Sequence, residues 1–157
     1  MTLEGEYEPS PSQWVRDQVE EYERSGGRRG NTLRDTGLPV VVVTTRGQRT
    51  KKLRKTPLMR VEHDGRYALV ASKGGAPEHP LWYHNLVADP SGVLLQDGPE
   101  PMAVRVRELA GEEKALWWER AVAAFPPYAE YQERTTRPIP VLLATPEGGA
   151  PAGEPSA

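Results

Sequence analysis

The fold is decided by one stretch: Pro39-Val40-Val41-Val42-Val43-Thr44-Thr45-Arg46-Gly47-Gln48-Arg49-Thr50-Lys51-Lys52-Leu53-Arg54-Lys55-Thr56-Pro57-Leu58. After Pro39 every residue up to Thr45 is β-branched. Such side chains crowd a helix but pack well on a pleated surface, so this segment reads as a buried strand. Arg46-Gly47-Gln48 is a turn, and the cationic run after it makes the unit strand–turn–strand.

Working outward, the same grammar repeats. Segments 58–62 and 67–72 flank His63-Asp64-Gly65-Arg66, whose Asp-Gly pair signals a hairpin. Segments 91–95 and 102–109 form a second pair around Asp97-Gly98. In the latter, Met102, Val104 and Val106 alternate with Ala103, Arg105 and Arg107, the pattern of a sheet wall. A last strand is expected at 139–144.

Helices fall between these strands. Ser12 is positioned to cap one over 13–24, with Trp14, Val15, Gln18, Val19 and Tyr22 near one face. Ser25-Gly26-Gly27 ends it, and a flexible basic loop with Arg28, Arg29, Gly30 and Arg34 follows. Others are expected at 79–88 and 111–124, the latter with Leu116, Trp117, Val122 and Ala123 as its apolar face. Pro126-Pro127 breaks that helix before a short one through Tyr128 and Tyr131. Strands arriving as hairpins, with helices inserted rather than alternating, predict a mainly β (α+β) antiparallel barrel with peripheral helices. No GxGxxG follows a strand, which disfavours a Rossmann domain.

The 157 residues make one domain, expected at 13–145 between a flexible polar arm at 1–12 and a disordered tail at 146–157. Twenty Lys+Arg against 22 Asp+Glu give a net charge of −2, which does not suggest a nucleic-acid binder. With no cysteine, disulfides, thiolate metal sites and cysteine nucleophiles are excluded. No apolar run is long enough to span a membrane, and the acidic opening MTLEGEYEPSPSQW lacks the apolar core of a secretory signal. A cytoplasmic monomer is expected, with peripheral contact at the inner face of the cell membrane left open.

Four stretches can carry chemistry. Between Thr45 and Arg60 lie seven cations (Arg46, Arg49, Lys51, Lys52, Arg54, Lys55, Arg60) and no acid. They suit a polyanionic ligand, and equally a solvated basic hairpin. Ser72-Lys73-Gly74-Gly75 offers a hydroxyl, a cation and close backbone approach, or simply a turn. Trp82 and Asn85 can share a helix face, while His79 and His84 are spaced wrongly for a helical zinc pair, so no metal is expected. Tyr128 and Tyr131 can line a pocket for a planar ligand, or pack. No nucleophile elbow, Ser/His/Asp arrangement or pair of carboxylates in apolar surroundings is visible, and a bound cofactor performing the reaction would explain their absence.

In order and spacing, these stretches resemble the deazaflavin (coenzyme F420)-dependent nitroreductase and quinone reductase family of actinobacteria. The matching elements are Gly37-Leu38-Pro39-Val40, Thr44 to Thr50 with Arg54 and Thr56-Pro57-Leu58, and Asp64-Gly65. They continue through Ala71 to Gly75, Pro80 to Leu86, Tyr128 to Gln132 and Arg137-Pro138-Ile139-Pro140-Val141. Together they span roughly 14–143.

The resemblance implies a split β-barrel of the flavin-reductase (FMN-binding) type with F420 in a groove beside it. It implies cofactor contacts from Arg49, Thr50, Arg54 and Pro57, with Lys55 nearby, continued by Ser72, Lys73, Gly74, Trp82 and Asn85, and Tyr128 over the ring. The cofactor's phosphodiester and glutamate tail would meet the seven cations. Ser72 and Tyr128 are the candidate catalytic donors to the acceptor oxygen, and Trp14, Met59, Phe125 and Tyr131 the acceptor side.

The chain departs from the family pattern at Lys51, Met59 and Phe125, where glycine, tyrosine and tyrosine are found in relatives. The function implied is hydride transfer from reduced deazaflavin to a planar acceptor: a quinone such as menaquinone, an enone or a nitroaromatic. A non-catalytic deazaflavin or flavin carrier and an FMN-dependent reductase are the alternatives.

Overall fold

The computed structural model describes residues 3, 5–33 and 36–147. Arg34 of the expected basic loop and residues 148–157 of the expected tail lie outside them. Eleven elements follow in the order α1 (Gln13–Ser25), β1 (Val40–Arg46), β2 (Leu53–Met59), β3 (Glu62–His63), β4 (Arg66–Val70), α2 (Leu81–Ala88), β5 (Val93–Gln96), β6 (Pro101–Glu108), α3 (Gly111–Ala124), α4 (Pro127–Glu133) and β7 (Val141–Pro146). The strands form one sheet in the order β2-β1-β5-β6-β7-β4-β3, antiparallel throughout. It curls until β2 approaches β4, giving the split barrel.

The deciding stretch forms the hairpin β1–β2, in register from Val40↔Met59 to Arg46↔Leu53. The cationic run is therefore itself the second strand. The strand expected at 58–62 is divided between the end of β2 and the two-residue β3. Asp64 and Gly65 both take positive φ (53° and 78°), the left-handed pair a tight hairpin turn demands.

Alternation along β1 and β2 separates two cores. Val41, Val43, Leu69, Leu95, Val104 and Val106 fill the barrel interior, with Leu86 of α2 packed into it and Leu58 and Trp82 at its margin. Val40, Val42 and Met59 face the other way, onto Val19 and Tyr22 of α1, Trp117 of α3 and Tyr128 of α4. Fully burying each such aliphatic side chain stabilises the fold by about 1.5–3 kcal/mol.

Several expectations are corrected. Leu116 and Ala123 of α3 are exposed, and the buried positions are Trp117 and Ala121, because α3 meets the sheet along a narrower stripe than its apolar content suggests. Ser12 occupies the cap of α1 but makes no side-chain capping bond; its N–H instead takes the Ser10 hydroxyl. The last strand begins at Val141 and runs through Pro146, since Arg105 to Glu108 of β6 pair with Thr145 to Leu142. Helix α2 starts at Leu81, because Pro80 is extended (φ −67°, ψ 155°). Within the expected arm, Glu6 and Glu8 exchange backbone bonds with Leu53 on the outer edge of β2.

Candidate cofactor and acceptor site

The hairpin loop between β1 and β2 is held from outside. The N–H of Gln48 donates to Oδ1 of Asn85 on α2 (3.2 Å), and Arg46 pairs with Asp89 just beyond that helix (3.7 Å). Thr50 shapes the loop by accepting the Lys52 N–H on its hydroxyl (3.2 Å). Two of the expected cofactor residues, Asn85 and Thr50, thus also hold up the loop that carries Arg49.

The seven cations do not face a ligand as a group. Arg46 pairs with Asp89, Lys52 with Glu6, Arg54 with Glu8, Lys55 with Glu23 and Arg60 with Asp97. Only Arg49 and Lys51 have no carboxylate partner among the described residues. Lys51 adopts φ 62°, a left-handed conformation that favours glycine. The acids that neutralise the others come from the arm, from α1, from the end of α2 and from the β5–β6 turn, so the local window hid them.

Alternation divides the expected residues between two faces. Arg54 lies opposite Thr45, on the Leu58 and Trp82 face of the hairpin. The Thr45 hydroxyl is buried without a hydrogen-bond partner. Lys55 and Pro57 share the Met59 face, and the Lys55 ammonium is 2.6 Å from Glu23 of α1 and 4.7 Å from the Tyr7 ring. On that side Phe125, Tyr128 and Tyr131 form a cluster with ring centroids 4.9–6.2 Å apart, and Met59 belongs to the same core. Trp14 on α1 is 41 % exposed.

Tyr128 is 5 % exposed, and its hydroxyl has no hydrogen bond to any described residue. Burial pushes this phenol well above its ordinary range, with the neighbouring Tyr131 adding to the shift. The ring therefore stays protonated at neutral pH and able to donate.

The turn after β4 meets α4. Ser72 is buried with its hydroxyl unpartnered among the described residues, and Lys73 (φ 46°) and Gly74 (φ 66°) follow in the left-handed region. A Cβ on Gly74 would meet nothing within 4 Å, whereas one on Gly75 would lie 2.7 Å from the Tyr131 carbonyl oxygen. The turn is thus open on one side and pressed on α4 on the other. Arg137 backs it: Nη2 donates to the Ser72 carbonyl (2.9 Å), Nη1 to that of Ala71 (3.2 Å) and Nε to that of Ala76 (2.9 Å).

Two open clefts lie elsewhere. One of about 510 Å³ runs between the arm and α1 past Tyr7, Arg16 and Glu20; the other, of about 570 Å³, lies along Arg105 and Thr145. No expected site residue lines either. Among the described residues no group of His, Cys, Asp or Glu could hold a metal, and no helix is long and apolar enough to cross a membrane.

The chain belongs to the F420H(2)-dependent quinone reductase family, which matches residues 14–146. It is an F420-dependent oxidoreductase, with coenzyme F420 as its cofactor.

An F420H(2)-dependent quinone reductase of Mycobacterium tuberculosis is 35 % identical over 127 residues, covering 79 % of this chain and 84 % of that one. A protein named a putative F420H(2)-dependent quinone reductase in Mycobacterium bovis matches to the same extent. Among solved structures, an F420-H2 dependent reductase is 53 % identical with a TM-score of 0.64, covering 68 % of this chain and 93 % of that one. A structure described as a domain-swapped dimer is 49 % identical with a TM-score of 0.66, covering 86 % and 99 %.

The residues fit the cofactor. Arg49 and Lys51 have charge to offer its anionic groups, the orphaned Thr45 hydroxyl lacks a partner, and Gly74 leaves space beside the turn. The unpaired Thr45 hydroxyl was not legible in the sequence, since it is like any other strand threonine's until burial removes water. A role for Arg137 was not legible either, because that side chain's partners lie 58–66 positions away.

Proposed function

We propose that this protein reduces a quinone at the expense of F420H2, with Arg49, Thr50, Lys51 and Arg54 toward the anionic part of the cofactor and Ser72 and Tyr128 toward the reacting oxygen. Bound in its reduced state, the deazaflavin supplies the hydride. The chain's own residues supply binding, orientation and hydrogen-bond donors. Trp82, Asn85, Lys73 and Gly74 complete the cofactor side, with Lys55 and Pro57 on the α1 face of the hairpin. Met59, Phe125, Tyr131 and Trp14 form the acceptor side, where an apolar aromatic lining suits a quinone ring.

The observation that carries this reading is the Tyr128 phenol. Its ring is buried in the aromatic cluster of Phe125 and Tyr131, and its hydroxyl is protonated and without a hydrogen-bond partner among the described residues. A donor aimed at developing charge is a large contributor to catalysis.

The test is a fluorescence titration with oxidised F420, FMN and NADPH, followed by steady oxidation of F420H2 with menadione. Saturable binding of F420 alone and menadione-dependent turnover are expected. Preference for FMN, or binding without turnover, would overturn the reading in favour of a flavin reductase or a carrier.

A further inference from the structure

We propose that Arg137 is the positioning residue of the site: one guanidinium holds the Ser72–Gly74 turn and the approach to α2 in a single geometry, an inference that rests on the cofactor reading above. Its three carbonyl partners are those of Ala71, Ser72 and Ala76, so it brackets the turn from both ends. Its remaining contact is Nη1 to Nδ1 of His79 at 2.9 Å, two residues ahead of α2.

A guanidinium can only donate, so Nδ1 of His79 accepts and the ring proton sits on Nε2. His79 is therefore neutral where it serves Arg137. Its surroundings agree: burial lowers its affinity for a proton, and the charges of Arg137 and His84 lower it further against the opposing pull of Glu108. The Tyr83 ring is 4.6 Å from the imidazole, with its hydroxyl on Glu108 (2.6 Å).

Arg137 is itself held. Gln132 of α4 donates to its carbonyl (2.9 Å) and accepts the Ile139 N–H (3.0 Å). Arg134 adds a long contact to the Gly74 carbonyl (3.4 Å). The chain of bonds thus runs from α4, which carries Tyr128, through Arg137 to the Ser72 turn and to α2, which carries Trp82 and Asn85. Residues assigned to cofactor and acceptor share one brace. A lysine keeps the charge but cannot span three carbonyls and an imidazole at once.

The experiment compares wild type, Arg137→Lys and His79→Asn by amide hydrogen exchange over 71–79, by kinetics with F420H2 and menadione, and by melting temperature. Arg137→Lys is expected to speed exchange of the turn at least tenfold and to raise KM for F420H2 at least fivefold. His79→Asn, which leaves the three carbonyl contacts intact, should give the same pattern at smaller size and decides the matter if Arg137→Lys does not fold. A lower melting temperature with unchanged exchange and unchanged KM would overturn the proposal, because that is what a merely structural arginine produces. If wild type does not bind F420, the cofactor reading falls, and the exchange of the turn alone decides whether Arg137 is its brace.

Discussion

The guanidinium of Arg54 lies 3.6 Å from the carboxylate of Glu8, and the backbone N–H of Glu8 donates to Leu53, the residue beside Arg54 on β2 (2.9 Å). An acidic segment thus runs along the cationic strand assigned to an anionic cofactor, with Glu6 on Lys52 (3.4 Å) as its second ion pair.

Glu8→Gln should therefore tighten F420 binding. Both partners are partly solvated, so the pair is worth at most about 1 kcal/mol and the gain should be a few-fold. It should shrink as salt is raised, because exposed charges are screened. Fluorescence titration at two ionic strengths checks both points, and weaker binding in the variant would show that Glu8 helps to hold Arg54 for the ligand.

Tyr128→Phe should leave the melting temperature almost unchanged, since the hydroxyl has no partner among the described residues and the ring still packs on Phe125 at 4.9 Å. Turnover with menadione should fall in both kcat and kcat/KM, with F420 affinity retained. Tyr128→Ala should instead cost about 3–5 kcal/mol as a large aromatic removed from a core. Equal turnover of wild type and Tyr128→Phe would leave Ser72 as the donor.

Two adjacent glycines should answer differently to alanine. At Gly74 only the positive φ is strained, so Gly74→Ala should cost about 1–2 kcal/mol. At Gly75 the added Cβ also meets the Tyr131 carbonyl oxygen at 2.7 Å, so the turn must move off α4. Urea unfolding should rank Gly75→Ala clearly below Gly74→Ala.

Alkaline pH should unfold the protein through buried phenols. Tyr67 and Tyr22 are raised from the ordinary value of 10.0, chiefly by burial, with Tyr67 also donating to Asp97 (2.6 Å). Tyr128 is raised by burial too. A folded value above the unfolded one means that this stability is full below about pH 10 and is lost as pH rises further. Each such phenol takes away about 1.4 kcal/mol per pH unit until it ionises in the fold. Urea midpoints from pH 7 to 11 should fall only above about 10, and a decline starting near neutrality would contradict the assignment.

Local signals were legible in the sequence because each lies within a few residues. The β-branched run of β1, the Asp64-Gly65 turn, the alternation in β6 and the Pro126-Pro127 break all state a conformational preference without reference to the rest of the chain. Ordered motifs from Trp14 to Val141 carried the cofactor for the same reason: spacing along a chain survives when the partners in space are unknown.

Tertiary structure decided what those residues do to one another. The strand order β2-β1-β5-β6-β7-β4-β3 is set by which apolar faces close together, and no window of sequence contains it. From it follow Glu23 on Lys55 across 32 positions, Asp97 on Arg60 across 37, and Arg137 on the Ser72 carbonyl across 65. A run of seven cations reads as unopposed when only its neighbours in sequence are counted. Folding brought acids within 2.6–3.7 Å of five of them, because opposite charges attract across space whatever their separation along the chain.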